Sequence, residues 1–269
     1  MTSESEITFF GIGSNSFYDL STVSFTFTTD EQRILVDCGP STPSDIYSAG
    51  FEFRDFDTLL ITHRHPDHCL GASYFLFGRH LEVLQKSRQD PEFEPDTLEI
   101  ISEPSVWEFV EQAFEFCHGD PDRSFEVNQV PIQSFEDGRD IGSQATMKTV
   151  EVNHTVPTRG FILNEQGENT LAYSSDTLLH EGFNEAAAGS NVVIHEAMVP
   201  HSEEGFSRTA KHATSEDAGK AIDQIGPQTA YLVHLRPSFS DQREKLENEA
   251  AEQCSINPVY PTPYESLER

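Results

Sequence analysis

Between Ile61 and Gly71 the chain reads Ile-Thr-His-Arg-His-Pro-Asp-His-Cys-Leu-Gly, which puts three imidazoles and a carboxylate within six residues. Nitrogen and oxygen donors of this kind bind Zn²⁺ at about 2.0 to 2.2 Å. Alternate residues on a tight turn direct His63 and His65 at one ion, while Asp67 and His68 face a second. Two zinc ions that share a water bring its pKa from about 15.7 towards about 7 and stabilise both the attacking and the leaving oxygen of a displacement. The spacing therefore points to hydrolysis by metal-activated water.

These ligands need a rigid support, and the flanking sequence supplies it. Phe56 to Thr62 is a short apolar run with β-branched residues that reads as a buried strand, so the ligands sit on a loop at its end. Upstream, Thr8-Phe9-Phe10 runs into the turn Gly11 to Asn15, and Ser24 to Thr28 with Arg33 to Asp37 read as a hairpin around Asp30-Glu31. Gly11-Ile12-Gly13 lacks the third glycine and the helix of a dinucleotide site and reads as a tight turn. Leu70 to Leu81 has helical spacing, and the strand Leu98 to Ser102 feeds a helix from Ser105 to Cys117.

Further on, Gly160 to Leu163 and Thr170 to Tyr173 flank the polar turn Asn164 to Asn169 as a second hairpin. Asn191 to Ile194 and Thr229 to Val233 are buried strands. Between them a helix opens at Thr214, with Asp217 at the reciprocal capping position, and closes at Gly226. Strands in both halves with helices outside predict two sheets packed face to face in one domain, residues 1–269.

The net charge is −29, from 46 acidic and 17 basic residues, and only five of the basic residues are lysines. The acids are spread over the chain, so the composition reads as halophilic, suited to molar salt in which the Debye length is about 3 Å. No basic stretch followed by an apolar one opens the chain and no window approaches a membrane span, which makes a cytoplasmic protein without a membrane partner the expectation. Cys38, Cys69, Cys117 and Cys254 are widely spaced and read as reduced, mostly buried thiols. Oligomeric state is open, with a homodimer compatible, and the role of residues 69–153 is not legible.

On these motifs the chain resembles the metallo-β-lactamase superfamily and, within it, the ribonuclease Z-like phosphodiesterases. Leu35-Val36-Asp37-Cys38-Gly39 is similar to the strand and aspartate before the metal loop, and Ile61 to Gly71 to the signature motif. Val152 to Pro157, Tyr173 to Thr177 and Val233-His234-Leu235 resemble the later ligand motifs in the same order. The resemblance implies an α/β fold, the αββα sandwich of two mixed sheets with helices outside. It implies two Zn²⁺ per chain, with Mn²⁺ the alternative: His63, His65 and His154 on one, Asp67, His68 and His234 on the other, and Asp176 bridging.

Two further matches separate the branch. Ile194 to Met198 resembles its His-Glu-Ala-Thr loop with Met198 in place of threonine, and Lys211 to Thr214 its His-Ser-Thr segment with Ala213 in place of serine. The analogy makes His212 the proton donor to the leaving oxygen, Glu196 its orienter and Asp67 the residue that aligns the water. The long tRNA-gripping arm of ribonuclease Z enzymes, inserted between the equivalents of His154 and Asp176, is replaced here by a compact hairpin.

Arg64, Arg159, Arg208, Lys211 and Arg236 all fall within a few positions of a site motif, which suits an anionic substrate. The reading is a dizinc phosphodiesterase acting on RNA 3′ ends, tRNA or a small cyclic phosphodiester. A lactonase or thioesterase-type carboxylic hydrolase and a non-catalytic metal or cofactor carrier are the alternatives.

The acidic composition carries a prediction of its own. Melting temperature and turnover should both rise as potassium chloride approaches molar concentration, because screening relieves carboxylate repulsion. Full activity in low salt, unchanged up to several molar, would remove the halophile reading.

Overall fold

Alternating phenylalanines and threonines in Ser24–Thr28 send Phe25 and Phe27 to one face of a strand, and that face is the centre of the molecule. The computed structural model describes residues 6–15, 20–29, 32–119 and 123–268. Its strands are β1 (Glu6–Gly11), β2 (Ser24–Thr28), β3 (Arg33–Val36), β4 (Thr58–Leu60), β5 (Leu98–Ser102), β6 (Val127–Pro131), β7 (Arg139–Asp140), β8 (Ala145–Glu151), β9 (Arg159–Glu165), β10 (Glu168–Tyr173), β11 (Val192–Glu196), β12 (Thr229–Val233) and β13 (Ser266–Glu268). The helices are α1 (Thr42–Ser48), α2 (Pro66–Cys69), α3 (Ala72–Gln89), α4 (Pro104–His118), α5 (Glu181–Ala187), α6 (Glu204–Ala210), α7 (Ser215–Ile225) and α8 (Arg243–Ala251).

The strands form two mixed sheets, ordered β13-β1-β2-β3-β4-β5-β6 and β12-β11-β10-β9-β8-β7. Each is antiparallel on one side and parallel on the other: β3 to β6 run parallel in the first, β10 to β12 in the second. One apolar core lies between the sheets. In it Phe25 meets Tyr173 edge-on at 5.0 Å and Phe27 stacks on Phe161 at 5.7 Å, each such pair adding about 0.5 to 1.5 kcal/mol beyond its buried area. A second core, with Phe53, Phe56, Phe75 and Phe114, lies between the first sheet and helices α3 and α4. Helices α5, α7 and α8 pack against the second sheet's side, completing the expected α/β sandwich.

The register places chemistry at one edge. Five of the seven parallel strands end at or shortly before a candidate functional group: Asp37 after β3, His63 after β4, Asp176 after β10, Glu196 at the end of β11 and His234 after β12. This is the crevice at the carboxyl ends of strands where open α/β sheets bind ligands. The loops are locked backbone to backbone: Cys38 N–H donates to the His68 carbonyl at 2.8 Å and Gly71 N–H to the Cys38 carbonyl at 2.9 Å. A Cβ at Gly39 would lie 2.1 Å from the Asp67 carbonyl oxygen, and one at Gly71 2.1 Å from that of Gly39, so both positions demand glycine.

Several expectations are lengthened or filled in. The helix expected over 70–81 is α3, which starts at Ala72 after the short turn α2 and runs on to Gln89, because Val83 stays on the buried stripe and no proline intervenes before Pro91. The turn expected around Asp30-Glu31 lies outside the described residues, but β2 and β3 pair antiparallel on either side of it. The segment 69–153 is now accounted for: α3 and α4 cover the first sheet, β5 and β6 extend it, and β7 and β8 form the edge of the second. Cys38 and Cys69 are buried, whereas Cys117 is exposed. Among the described residues no helix is long and apolar enough to cross a membrane.

Helix α7 carries both halves of the expected cap. Thr214 Oγ1 accepts the Asp217 N–H at 3.2 Å, Asp217 accepts the Thr214 N–H at 3.1 Å, and Gly226 ends the helix at φ 72°. Burial would raise the Asp217 carboxyl pKa, but Arg208 and Thr214 outweigh it and hold it low. Asp217→Asn should therefore lose about 1 kcal/mol of folding stability at pH 7, read by urea unfolding. The Asp217 contribution is present above the unfolded carboxyl value of about 3.9 and fades as pH falls through the lower folded one, so mutant and wild type should converge in acid.

Candidate metal centre

Five imidazoles from four loops face one carboxylate. The Asp176 Oδ2 atom lies 3.5 Å from His63 Nε2, 3.4 Å from His68 Nε2, 3.7 Å from His154 Nε2 and 3.2 Å from His234 Nε2. The fifth, His212, reaches it through Nδ1 at 4.0 Å. His65 completes the group at the rim, its Nδ1 3.0 Å from His154 Nε2. Donor atoms of His63, His65, His154 and Asp176 all lie within 4.8 Å of one another, and so do those of Asp67, His68 and His234. A third set, Asp176, His212 and His234, meets the same distance, so the seven residues expected as ligands are brought together with His212 among them.

The rings are oriented from behind. His68 Nδ1–H donates to Asp37 Oδ2 at 2.8 Å, and His154 Nδ1–H to the Lys211 carbonyl at 2.9 Å. His63 Nδ1 lies 3.1 Å from Thr62 Oγ1, whose own hydroxyl donates to Asp37. Each bond puts a proton on Nδ1 and leaves the Nε2 lone pair aimed inward, as metal-ligating histidines require. His63 Nε2, His68 Nε2 and Asp176 Oδ1 are buried and find no hydrogen-bond partner among the described residues. Buried polar atoms left unpaired are costly, and a divalent cation satisfies all three. The donor set thus fits a metal.

Electrostatics agree with that use at three of the rings; at His68, burial is outweighed by Asp176 and then Asp37, which push its pKa well up while no cation shares the site. Burial lowers the pKa of His63, of His65 and of His154, the last to about 4, so these rings are neutral near pH 7. Ligation needs neutral imidazole. Burial would raise Asp176, but His234, His68 and His63 outweigh it and keep the carboxylate ionised; Asp67 is likewise held low, mainly by His234.

Glu196 is buried at the end of β11, where it accepts the Thr177 N–H and the His212 Nδ1–H, the latter at 3.1 Å. Burial raises the Glu196 pKa. Burial alone would depress His212, yet Glu196 and then Asp176 prevail and push it up to about 9. Glu196 is not the cap of helix α7, a role Asp217 fills, and His212 is not a surface residue.

The five basic residues near the motifs divide sharply. Arg159 is buried and pairs with Glu136 at 2.6 Å; Arg208 pairs with Asp217 at 3.0 Å and Glu204 at 3.1 Å. Lys211 Nζ donates to the His154 carbonyl at 3.0 Å. These three are spent on the scaffold, because a burial-driven fold with few cations uses them first for its own carboxylates and carbonyls. Arg236 lies over the Phe206 ring at 4.4 Å, and the exposed Arg64 guanidinium has no partner among the described residues.

Backbone strain collects at the same place. Of the six non-glycine residues with positive φ among those described, Asp37, Ser175, Lys211 and His234 adjoin the cluster. Such conformations cost of order 1 to 3 kcal/mol each and persist only where surroundings over-determine them. Sequence reading passed over Lys211's role and gave Asp37 no site role; an acidic residue closing a buried strand was the available signal for the second.

The sequence model of the family described as Anti-Pycsar protein Apyc1 matches residues 5–253. The chain belongs to that family. It is 26% identical to the Anti-Pycsar protein Apyc1 of Bacillus phage 010DV004, over 88% of this chain and 91% of that one. It is also similar to the ribonuclease Z of Brevibacillus brevis, at 21% identity over 88% of this chain and 86% of the other. In fold, the metallo-β-lactamase fold protein YhfI from Bacillus subtilis superposes with a TM-score of 0.79 at 17% identity, covering 98% and 99% of the two chains. The short form of human tRNase Z superposes with 0.76 at 16% identity, covering 98% of each. The chain has the metallo-β-lactamase fold and lies in its ribonuclease Z-like branch.

The two-point hold of Lys211 on His154 can be tested on metal binding. Lys211→Asn keeps a side chain that tolerates positive φ but withdraws the ammonium from the His154 carbonyl. Zinc affinity, read by competition with a chromophoric chelator, should fall by about 10-fold or more, as it does when outer partners of a ligand are lost. Unchanged affinity would return Lys211 to the surface.

Proposed function

We propose that this protein is a two-zinc phosphodiesterase that opens a small cyclic phosphodiester. His63, His65 and His154 would hold one ion, Asp67, His68 and His234 the other, and Asp176 both. Bound zinc supplies the Lewis acidity that makes water a nucleophile near neutral pH and offsets charge on the phosphate oxygens.

The observation that carries the reaction class is the buried pair of His212 and Glu196 beside the donor cluster. With a pKa of about 9, His212 holds a proton on each nitrogen at neutral pH. Its Nδ1–H is committed to Glu196, which leaves the Nε2 proton for the departing oxygen. A ribose alkoxide needs such a proton; the collapse of a thioester does not. Asp67, half-buried at the rim, accepts a hydrogen bond from the attacking water and aligns it. Arg64 and Arg236, not engaged with carboxylates, are the cations left to meet phosphate oxygens.

Substrate size follows from the scaffold. Between His154 and Asp176 the chain makes only the β9–β10 hairpin, with seven and six residues in its strands. No arm is there to grip a large RNA. The ribonuclease Z relatives favour a second reading, cleavage at RNA 3′ ends. A panel of a cyclic nucleotide, bis(p-nitrophenyl) phosphate and a 3′-extended tRNA separates the two, with fast turnover of the first expected and preference for the tRNA reversing the choice.

His212→Ala should lower kcat on a cyclic nucleotide by about 10² to 10⁴ and leave two zinc ions per chain in place. The loss should be small for p-nitrophenolate, which departs without a proton. Because the acid form is lost as pH rises through about 9, wild-type turnover of the alkoxide substrate should decline above that pH and that of the p-nitrophenyl ester should not. Equal losses on both leaving groups would demote His212 to positioning.

A further inference from the structure

Four of the five imidazoles in the ligand set are held from behind, through the ring nitrogen that does not face the cluster. His63 meets Thr62 Oγ1 at 3.1 Å, His65 meets Thr155 Oγ1 at 3.3 Å, His68 meets Asp37 Oδ2 at 2.8 Å and His154 meets the Lys211 carbonyl at 2.9 Å. His234 is the exception. Its Nε2 faces Asp176 at 3.2 Å, while its Nδ1 is buried and finds no hydrogen-bond partner among the described residues. A metal-ligating histidine almost always donates its second ring N–H to a carboxylate, a carbonyl or water, and a buried donor without an acceptor is costly. One carboxylate oxygen stands nearby. Glu196 Oε2 lies 3.9 Å from His234 Nδ1 and 3.1 Å from His212 Nδ1. The two rings are stacked, 17° from parallel with centroids 4.9 Å apart, and both present Nδ1 to that oxygen. The other oxygen, Oε1, accepts the Thr177 N–H, and the Glu196 N–H is anchored on Ser174 Oγ at 3.0 Å.

We propose that Glu196 Oε2 is the outer acceptor of the metal ligand His234 as well as of the acid His212, so that two imidazoles draw on one oxygen. The inference rests on the two-zinc reading above and adds to it a positioning role for Glu196 at the metal. A carboxylate oxygen has lone pairs enough to accept from both rings. In the structure it stands nearer His212, and 3.9 Å is too long for a hydrogen bond to His234. The rings therefore compete, and the one that gains the oxygen loosens the other. Zinc affinity at the His234 site is coupled in this way to the hold on the acid.

Glu196→Gln removes the shared acceptor while keeping its shape. The Thr177 N–H turns the amide oxygen towards itself, which puts the amide NH₂ where Oε2 was and leaves both rings facing a donor. In competition with a chromophoric chelator, one of the two zinc affinities should fall by about 10-fold and the other should hold. His212→Ala frees the oxygen for His234 and should tighten that same site, a gain that the double variant should lack. Opposite signs separate a shared acceptor from damage to the fold, which would weaken zinc in both variants. Unchanged affinity in Glu196→Gln overturns the proposal, and so does a His212→Ala protein whose affinity falls or stays the same.

The metal-free protein gives a second readout, which needs neither zinc nor a folded Glu196 variant. In ring-nitrogen NMR spectra of protein carrying labelled histidine, the His234 Nδ1–H proton, assigned by its loss in His234→Gln, should move downfield in His212→Ala as its bond to Glu196 shortens. If zinc binds equally well to His234→Gln, the metal role of His234 fails, and this proton alone decides the shared acceptor. No downfield shift overturns it.

Discussion

A carboxylate that is 1% exposed, with four imidazole nitrogens converging on it from three strand-end loops, is the constraint the rest of this molecule answers to. Burying a charge without a partner costs many kcal/mol, and crowding lone pairs around it is unfavourable again. Divalent cations resolve both problems at once, since they neutralise Asp176 and give each inward nitrogen something to bind. The cluster is therefore poorly suited to folding for its own sake. It is held in place by the scaffold against its own electrostatics, and the unpaired nitrogens and oxygen are the visible sign of that.

The holding is done by a ring of outer residues. Asp37 ties Thr62 and His68 together, and through the Thr62 hydroxyl it reaches His63. Lys211 fixes His154 by its carbonyl and its ammonium, and as the residue before His212 it links two histidines of the cluster. Asp37, Lys211 and His234 adopt positive φ, a conformation side chains resist. Such strain is tolerated because parallel strands on both sheets anchor the loops from one side, while interlocked glycines such as Gly39 and Gly71 anchor them from the other.

Charge is distributed with a similar economy. A chain with 17 basic residues against 46 acidic ones has few cations to spare, and three of the five near the site neutralise carboxylates or tie down a backbone carbonyl. That leaves Arg64 exposed and Arg236 over the Phe206 ring, neither with a carboxylate partner among the described residues. Proximity in sequence to a site motif was a poor guide to which cations stay free of scaffold partners. Side-chain direction decides it, and direction depends on which neighbour the fold brings near.

What the sequence by itself determined is whatever depends on residues close along the chain. The spacing in His63-Arg64-His65-Pro66-Asp67-His68 names the chemistry, the alternation in Ser24 to Thr28 names a strand with one buried face, and Thr214 with Asp217 and Gly226 sets both ends of a helix. Each is a local pattern read by short-range sterics and hydrogen bonding. The edge strand Val127–Pro131 and the strand next to an edge, Ala145–Glu151, were not legible, since their polar, half-exposed residues become strands only by pairing with neighbouring strands. The assembly of the site was likewise beyond any local pattern. His154, Asp176, Glu196, His212 and His234 are single residues whose order matched a family, but their meeting within a few Å of His63 depends on two sheets packing face to face. Only tertiary structure could decide which of them touch, which arginines stay free and which carbonyl holds which ring, because those contacts join residues brought together by the burial of the shared core.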